Sequence, residues 1–239
     1  MTTYALYVES GPKRKKTMAH VPALLGCVAT GSTTDEALAA TPIAIRAYLR
    51  FLSRHGEQAD PRADFETRVA EHITEGDWLG NGSPYLVFET DLEPVSDDET
   101  ALHLRRFRWM REELATWVRT QSESQLDAEP AIKGRPARDI ILHVLAVPGA
   151  YLSAALGGAT GFSHLQTEAS RGLVPLDQAL LRCVDMVDAR IAESTSEQRS
   201  RVLQRPKDVR TFRKALRRML EHDWEHIVEL SRRPGGPPL

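Results

Sequence analysis

His222 and His226 are the side chains whose type and spacing most directly suggest chemistry. They stand in the string LEHDWEHI, which runs from Leu220 to Ile227. Four residues apart on a helix, two imidazoles share one face, one turn apart, within reach of a single metal ion. Taking about 100° per residue and Phe212 as zero, Leu216, Met219, Leu220, Asp223, Ile227 and Leu230 form a stripe from roughly −20° to +80°. On the same wheel His226 lies at about −40° and His222 at about −80°, on one flank of that stripe. Both face a groove beside a neighbouring helix, and Ala215 leaves room in the turn above them. His143, between Ile140, Ile141 and Val144 on a second helical segment, faces at least partly inward and is the natural third ligand. Three histidines from two facing helices make an open centre, with further positions for water or substrate. Each part also has a plainer reading: a hydrogen-bonded pair on a helix flank, and a satisfied core histidine.

Other residues near this string bear on the same site. Asp223 projects into the apolar stripe, where a carboxylate needs a partner. It would either orient a ligating imidazole or pair with an arginine such as Arg105 or Arg108. Glu225 points away and is expected to be solvated. His222 is followed by Asp, so the string is not the HExxH of metalloproteases. His164 follows the glycine-rich turn Gly157–Gly161 in a loop that would lie over the metal, which makes it a substrate-side candidate. That turn lacks the Lys-Ser/Thr of a phosphate loop and reads as a hinge. Residues 199–218 hold nine Lys/Arg and one acid, Asp208. Such a cluster either receives a phosphate or carboxylate or forms a solvated outer face.

The elements that must position these residues fall into two halves. Tyr4–Val8, residues 17–21 and residues 27–30 have strand composition, with a basic turn over 11–16. Thr33 and Glu36 form a capping box for a helix reaching about Gly56, kinked at Pro42. Residues 85–90 read as a fourth strand. From Ser96 onward strand signals disappear. Ser96 and Glu99 form another capping box for a helix with Leu104, Phe107, Met110, Leu114, Trp117 and Val118 at helical spacing. A second helix starts at Pro136 and is interrupted by Pro148. A third begins near Pro175, and a fourth runs from about Thr211 to Arg233. Four amphipathic helices predict a bundle. The expected class is α+β: a small α+β domain over residues 1–92, an all-α four-helix bundle over 97–233, and a disordered tail over 234–239.

The "DIILHVLAVPGAYL" and "LRRMLEHDWEHIVEL" helices, with His143 placed before the HxxxH pair, resemble the DinB-like (YfiT-like) family of metal-binding four-helix bundles. The resemblance covers roughly residues 97–233. It implies His143, His222 and His226 as the metal ligands. It also implies an activity of the kind found in that family, which includes thiol S-transferases and isomerases using low-molecular-weight thiols such as mycothiol or bacillithiol. In the N-terminal half, "YALYVES", "HVPALLGCVATGSTTDEAL" and "AIRAYLRFL" resemble the HicB-like antitoxin domain, with a partial RNase H-like fold. In that family any DNA-binding segment follows the strands, where this chain has its bundle. The half therefore reads as a binding or regulatory module.

Composition narrows the partners. Lys+Arg is 31 against Asp+Glu 33, for a formal net charge of −2, so a globally basic nucleic-acid surface is not expected. Nor does any recognition motif accompany the arginines of residues 105–111 and 199–218. No continuous apolar run approaches the roughly 18 residues of a membrane span, and the first residues lack a secretion signal. Two distant cysteines, Cys27 and Cys183, exclude a disulfide framework and read as buried apolar residues in a cytoplasmic protein. Any metal must then be held by histidines and carboxylates. Zinc and nickel both suit three imidazoles. The expected partners are a small-molecule substrate, with a low-molecular-weight thiol as one form of it, and at most a second copy of the chain. The expected reaction is metal-dependent thiol transfer, with hydrolysis at the same site as its variant. The competing class is a non-enzymatic regulatory protein whose bundle is a scaffold.

Overall fold

The computed structural model describes residues 1–12, 16–131 and 134–239. Strand β1 (Thr2–Ser10) pairs antiparallel with β2 (Thr17–His20), which pairs antiparallel with β3 (Val28–Gly31). Residues 13–15 of the expected basic turn lie outside the described residues. Helix α1 (Thr34–Arg54) then crosses to β4 (Phe65–Ile73), which lies parallel to β1 at the sheet edge, in the order β3-β2-β1-β4. Thr33 caps α1 by accepting from the Glu36 N–H, and Glu36 bonds the Ser32 N–H, so the predicted box is shifted by one residue on its return arm.

The fourth strand is β4, not residues 85–90. Most of β4 is exposed, so it shows no apolar alternation from which to recognise a strand. Residues 85–90 are apolar for another reason. Leu86 and Phe88 join Leu79 in a small buried cluster on the sheet, with Phe88 edge-on to Tyr7 and His20.

The helical half begins with α2 (Asp97–Arg119), where Ser96 and Glu99 make both bonds of the capping box. It continues through α3 (Glu123–Asp127), α4 (Ala137–Leu156), α5 (Phe162–Ser170), α6 (Leu176–Ala192) and α7 (Ser196–Ser200). The last elements are β5 (Leu203–Arg205), β6 (Asp208–Arg210) and α8 (Phe212–Ser231). The β5–β6 hairpin corrects the expectation that strands end before Ser96. Three residues a side are too few to show a period of two. The long helices α2, α4, α6 and α8 form the bundle, with α2 against α6 and α8, and α4 against the same two. Apolar stripes meet at its centre, where Met110, Leu114, Ile140, Val144, Leu180, Val184 and Ile227 are fully buried. Each such Leu, Ile, Val or Met contributes about 1.5–3 kcal/mol relative to exposure. Helix α4 is long and apolar enough to cross a membrane on length and composition, a property not visible as one unbroken run. Half of its most apolar window is buried inside the protein, as in a core helix.

One apolar cluster runs through both halves. Tyr48 and Phe51 of α1 pack on Trp224 of α8, with centroids 4.8 and 5.3 Å apart. The tail expected to be disordered is docked: the Trp117 indole donates to the Gly235 carbonyl at 2.7 Å, and Leu239 packs on the core.

Candidate metal centre

Helix α8 and helix α4 bring His143, His222 and His226 together. Their ligand-capable nitrogens lie within 4.8 Å of one another. His222 and His226 are buried, at 8% and 7% exposure, and His143 is partly exposed. Centroids are 4.5 Å apart for His222–His226, 4.8 Å for His143–His222 and 5.2 Å for His143–His226. The Nε2 atoms of His143 and His222 face each other at 2.9 Å. Burial lowers the pKa of His143 and pushes that of His222 down to about 3. Both rings are therefore neutral near pH 7, and a neutral imidazole keeps one lone pair for a metal. His226 donates through Nδ1 to Glu229 Oε2 at 2.7 Å. The carboxylate selects the Nδ1–H tautomer, leaving the Nε2 lone pair free to bind a metal. Glu229 in turn is held below its ordinary pKa, first by that hydrogen bond.

Two observations bear on whether a cation fits. Two neutral rings with opposed Nε2 atoms can share at most one hydrogen bond, whereas a cation would satisfy both lone pairs. Among the described residues, the buried His222 Nδ1 has no hydrogen-bond partner, the nearest carboxylate oxygen being Asp223 Oδ1 at 3.9 Å. A three-imidazole set with no carboxylate in it suits a divalent transition metal.

Asp223 has a different partner from those predicted. Its carboxylate takes Arg111 Nε at 2.5 Å and Nη2 at 3.0 Å, both residues being buried. Arg105 does not reach it, and Arg108 pairs with Asp185 and Asp188 on α6. Arg111 Nη2 also donates to the Val144 carbonyl at 2.9 Å. That carbonyl is free because the residue four positions on is Pro148, which has no N–H. One arginine on α2 thus holds α8 at the residue after His222 and α4 at the residue after His143. Arg111 was legible in principle, since it lies within the α2 apolar stripe between Phe107 and Leu114. Glu229, three residues after His226 on the same helix, was legible by spacing too.

His164 is not in a loop over the centre. It lies on α5, 77% exposed at the side chain, 3.5 Å from Glu168. Glu225 is partly buried, not solvated, and burial raises its pKa. The 199–218 cluster matches neither of its two readings fully. Lys214, Arg217 and Arg218 are buried and paired, with Asp208, with Asp91 and Glu221, and with Glu221 respectively. Cys27 and Cys183 are buried, and burial pushes the Cys183 thiol up to about 11.

A pocket of about 630 Å³ opens beside the histidines. His143 and His222 stand in its wall, with the α4 face from Val147 to Ala155 and the α8 face from Lys214 to Arg218. The remaining wall comes from Asp208, Arg210 and Thr211 ahead of α8 and from residues 78–85 of the N-terminal half, and sequence reasoning did not connect the latter to the site.

Comparison with known proteins gives one decisive match: residues 106–230 match the DinB superfamily. The chain belongs to the DinB superfamily. No curated protein matches it. Among solved structures, YfiT from Bacillus subtilis, described as a probable metal-dependent hydrolase with an unusual four-helix bundle topology, is similar at 22% identity. That similarity covers 63% of this chain and 93% of YfiT, with a TM-score of 0.44. The superfamily match begins at Arg106, so the four-stranded sheet of this DinB-superfamily protein lies outside it.

Proposed function

We propose that this DinB-superfamily protein is a divalent-metal-dependent enzyme acting on a small molecule. His143, His222 and His226 would hold the ion, zinc or nickel. The observation that carries this reading is the convergence of three ring nitrogens within 4.8 Å of one another beside an open pocket, with His143 and His222 in its wall. A divalent ion supplies Lewis acidity there, lowering the pKa of a water or thiol that it binds. The chain's own groups do the rest. Glu229 turns the Nε2 of His226 toward the ion, and burial keeps His143 and His222 neutral. Arg111 fixes the helices that bear them. The α4 face excludes water from one side of the pocket.

Within this reading, transfer of a low-molecular-weight thiol to an electrophile is the specific reaction proposed, and hydrolysis is the variant. Neither cysteine competes as nucleophile, because both thiols are buried and their pKa values raised. For the N-terminal half, the strand-strand-strand-helix-strand order favours a second proposal, a HicB-like binding module.

Elemental analysis of protein purified without added metal should give near one ion per chain. His143→Ala and His226→Ala should each lose it. A stoichiometry near zero, both as purified and after reconstitution, would refute the metal reading and leave the regulatory scaffold.

A further inference from the structure

The pocket beside the histidines is built by both halves of the chain, and its chemistry is uneven. We propose that it binds a small molecule with a planar apolar body and one anionic end, and that Trp78 and Tyr85 of the N-terminal half set its specificity. This rests on the metal-centre reading only for where the reacting end of the ligand lies.

The aromatic wall is a constructed one. Leu79 is buried in the small cluster with Leu86 and Phe88. The N–H groups of Gly80 and Ser83 donate to the buried Glu9 carboxylate at 3.1 Å each. A Cβ on Gly82 would stand 2.1 Å from Arg218 Nη2, so this segment lies directly on α8. Beside these anchors Trp78 is 70% exposed and Tyr85 43% exposed, both on the pocket. Trp78 also has φ +64°, where glycine is at ease and a bulky side chain is strained. Neither burial nor backbone preference calls for tryptophan there, and strain of this kind collects at functional sites. A ligand lying flat between this indole and the apolar α4 face gives the ring a role.

The other end of the pocket carries surplus positive charge. Arg210 and Lys214 share one carboxylate, Asp208, at 2.5 and 2.9 Å. Lys214 gives a second N–H to the Val209 carbonyl at 2.8 Å, which leaves it a third donor. Arg218 is 2% exposed, and among the described residues its Nε has no hydrogen-bond partner. Two cations against one carboxylate, with donors to spare, suit a carboxylate, sulfonate or phosphate.

Calorimetric titration of the full chain tests this, with 2-naphthoate as probe, 2-naphthol as its neutral counterpart and hexanoate as its non-planar one. 2-Naphthoate should bind more tightly than either. Trp78→Gly, which removes the ring and relieves the backbone, should weaken 2-naphthoate about tenfold. Arg210→Gln, at a half-exposed site, should weaken 2-naphthoate by a similar factor and leave 2-naphthol unchanged. No binding of 2-naphthoate, equal binding of the three probes, or wild-type affinity in either variant overturns the proposal. Metal content measured on the same samples keeps the two readings apart. A wild-type protein that holds metal and does not bind 2-naphthoate removes this inference alone. His226 is outside the pocket wall, so His226→Ala should lose metal and keep 2-naphthoate. A wild-type protein that binds 2-naphthoate and holds no metal, both as purified and after reconstitution, removes only the metal reading.

Discussion

At the scale of the residue, a buried ion pair and a buried histidine outside the ligand set have consequences that can be measured. Arg111 and Asp223 form an ion pair with no exposed atoms of note, at 0% and 1%. Such a pair gives little net stability over an apolar replacement, but breaking it leaves a bare charge in the core. Arg111→Met should therefore cost about 3–5 kcal/mol, and Arg111→Met with Asp223→Leu should recover much of that loss. Urea unfolding of the two variants checks it, and equal stability of single and double variant would contradict it. His103 is the second group. Burial pushes its pKa down from the ordinary 6.5 to about 4. As pH falls through that window the unfolded chain takes up a proton that the folded chain refuses, so stability declines toward acid. The loss at this one site is up to about 3 kcal/mol. In His103→Leu the drop in stability between pH 7 and pH 4.5 should be smaller than in the wild type; an identical drop would count against this assignment.

At the scale of the element, Pro148 links helix geometry to the metal centre. A proline inside a helix costs about 3 kcal/mol and frees one carbonyl. Here the freed carbonyl is that of Val144, and Arg111 occupies it. In Pro148→Ala the helical N–H would reclaim the carbonyl and displace Arg111. Stability should hold or rise, while metal affinity should fall by about tenfold, the scale of groups that orient ligands. Competition with a chromophoric chelator reads the affinity, and an unchanged value would separate Pro148 from the site. The opposite signs distinguish this from general destabilisation.

At the scale of the whole molecule, the sheet and the bundle are fastened by buried charge as well as by apolar packing. His20 of β2 lies 3.2 Å from Glu9 and 2.9 Å from Glu221 of α8. Arg217 joins Glu221 to Asp91 at 2.7 Å on each side. Burial alone would raise the Glu221 pKa, but Arg217 and His20 hold it well below the carboxylate range. Separating the halves would strand these charges and expose the shared core. The chain should therefore unfold in one cooperative transition, with far-ultraviolet circular dichroism and tryptophan fluorescence coincident. Two resolved transitions would show independent halves.

The four long helices and the order of the three histidines were legible because both are local signals: helical period, capping pairs at Ser96 and Thr33, and a four-residue spacing. The edge strand β4 and the β5–β6 hairpin were not legible, since an exposed strand has no apolar alternation and a three-residue strand has no period. Distance along the chain hid the rest. Asp223 needed a partner by sequence alone, but only packing could choose Arg111 over Arg105 and Arg108. His164 left the site because α5 turns it to solvent. The aromatic wall at Trp78 and Tyr85 lies far in sequence from His222, and contacts between such distant segments are decided by how the sheet docks on α8, which no local pattern encodes.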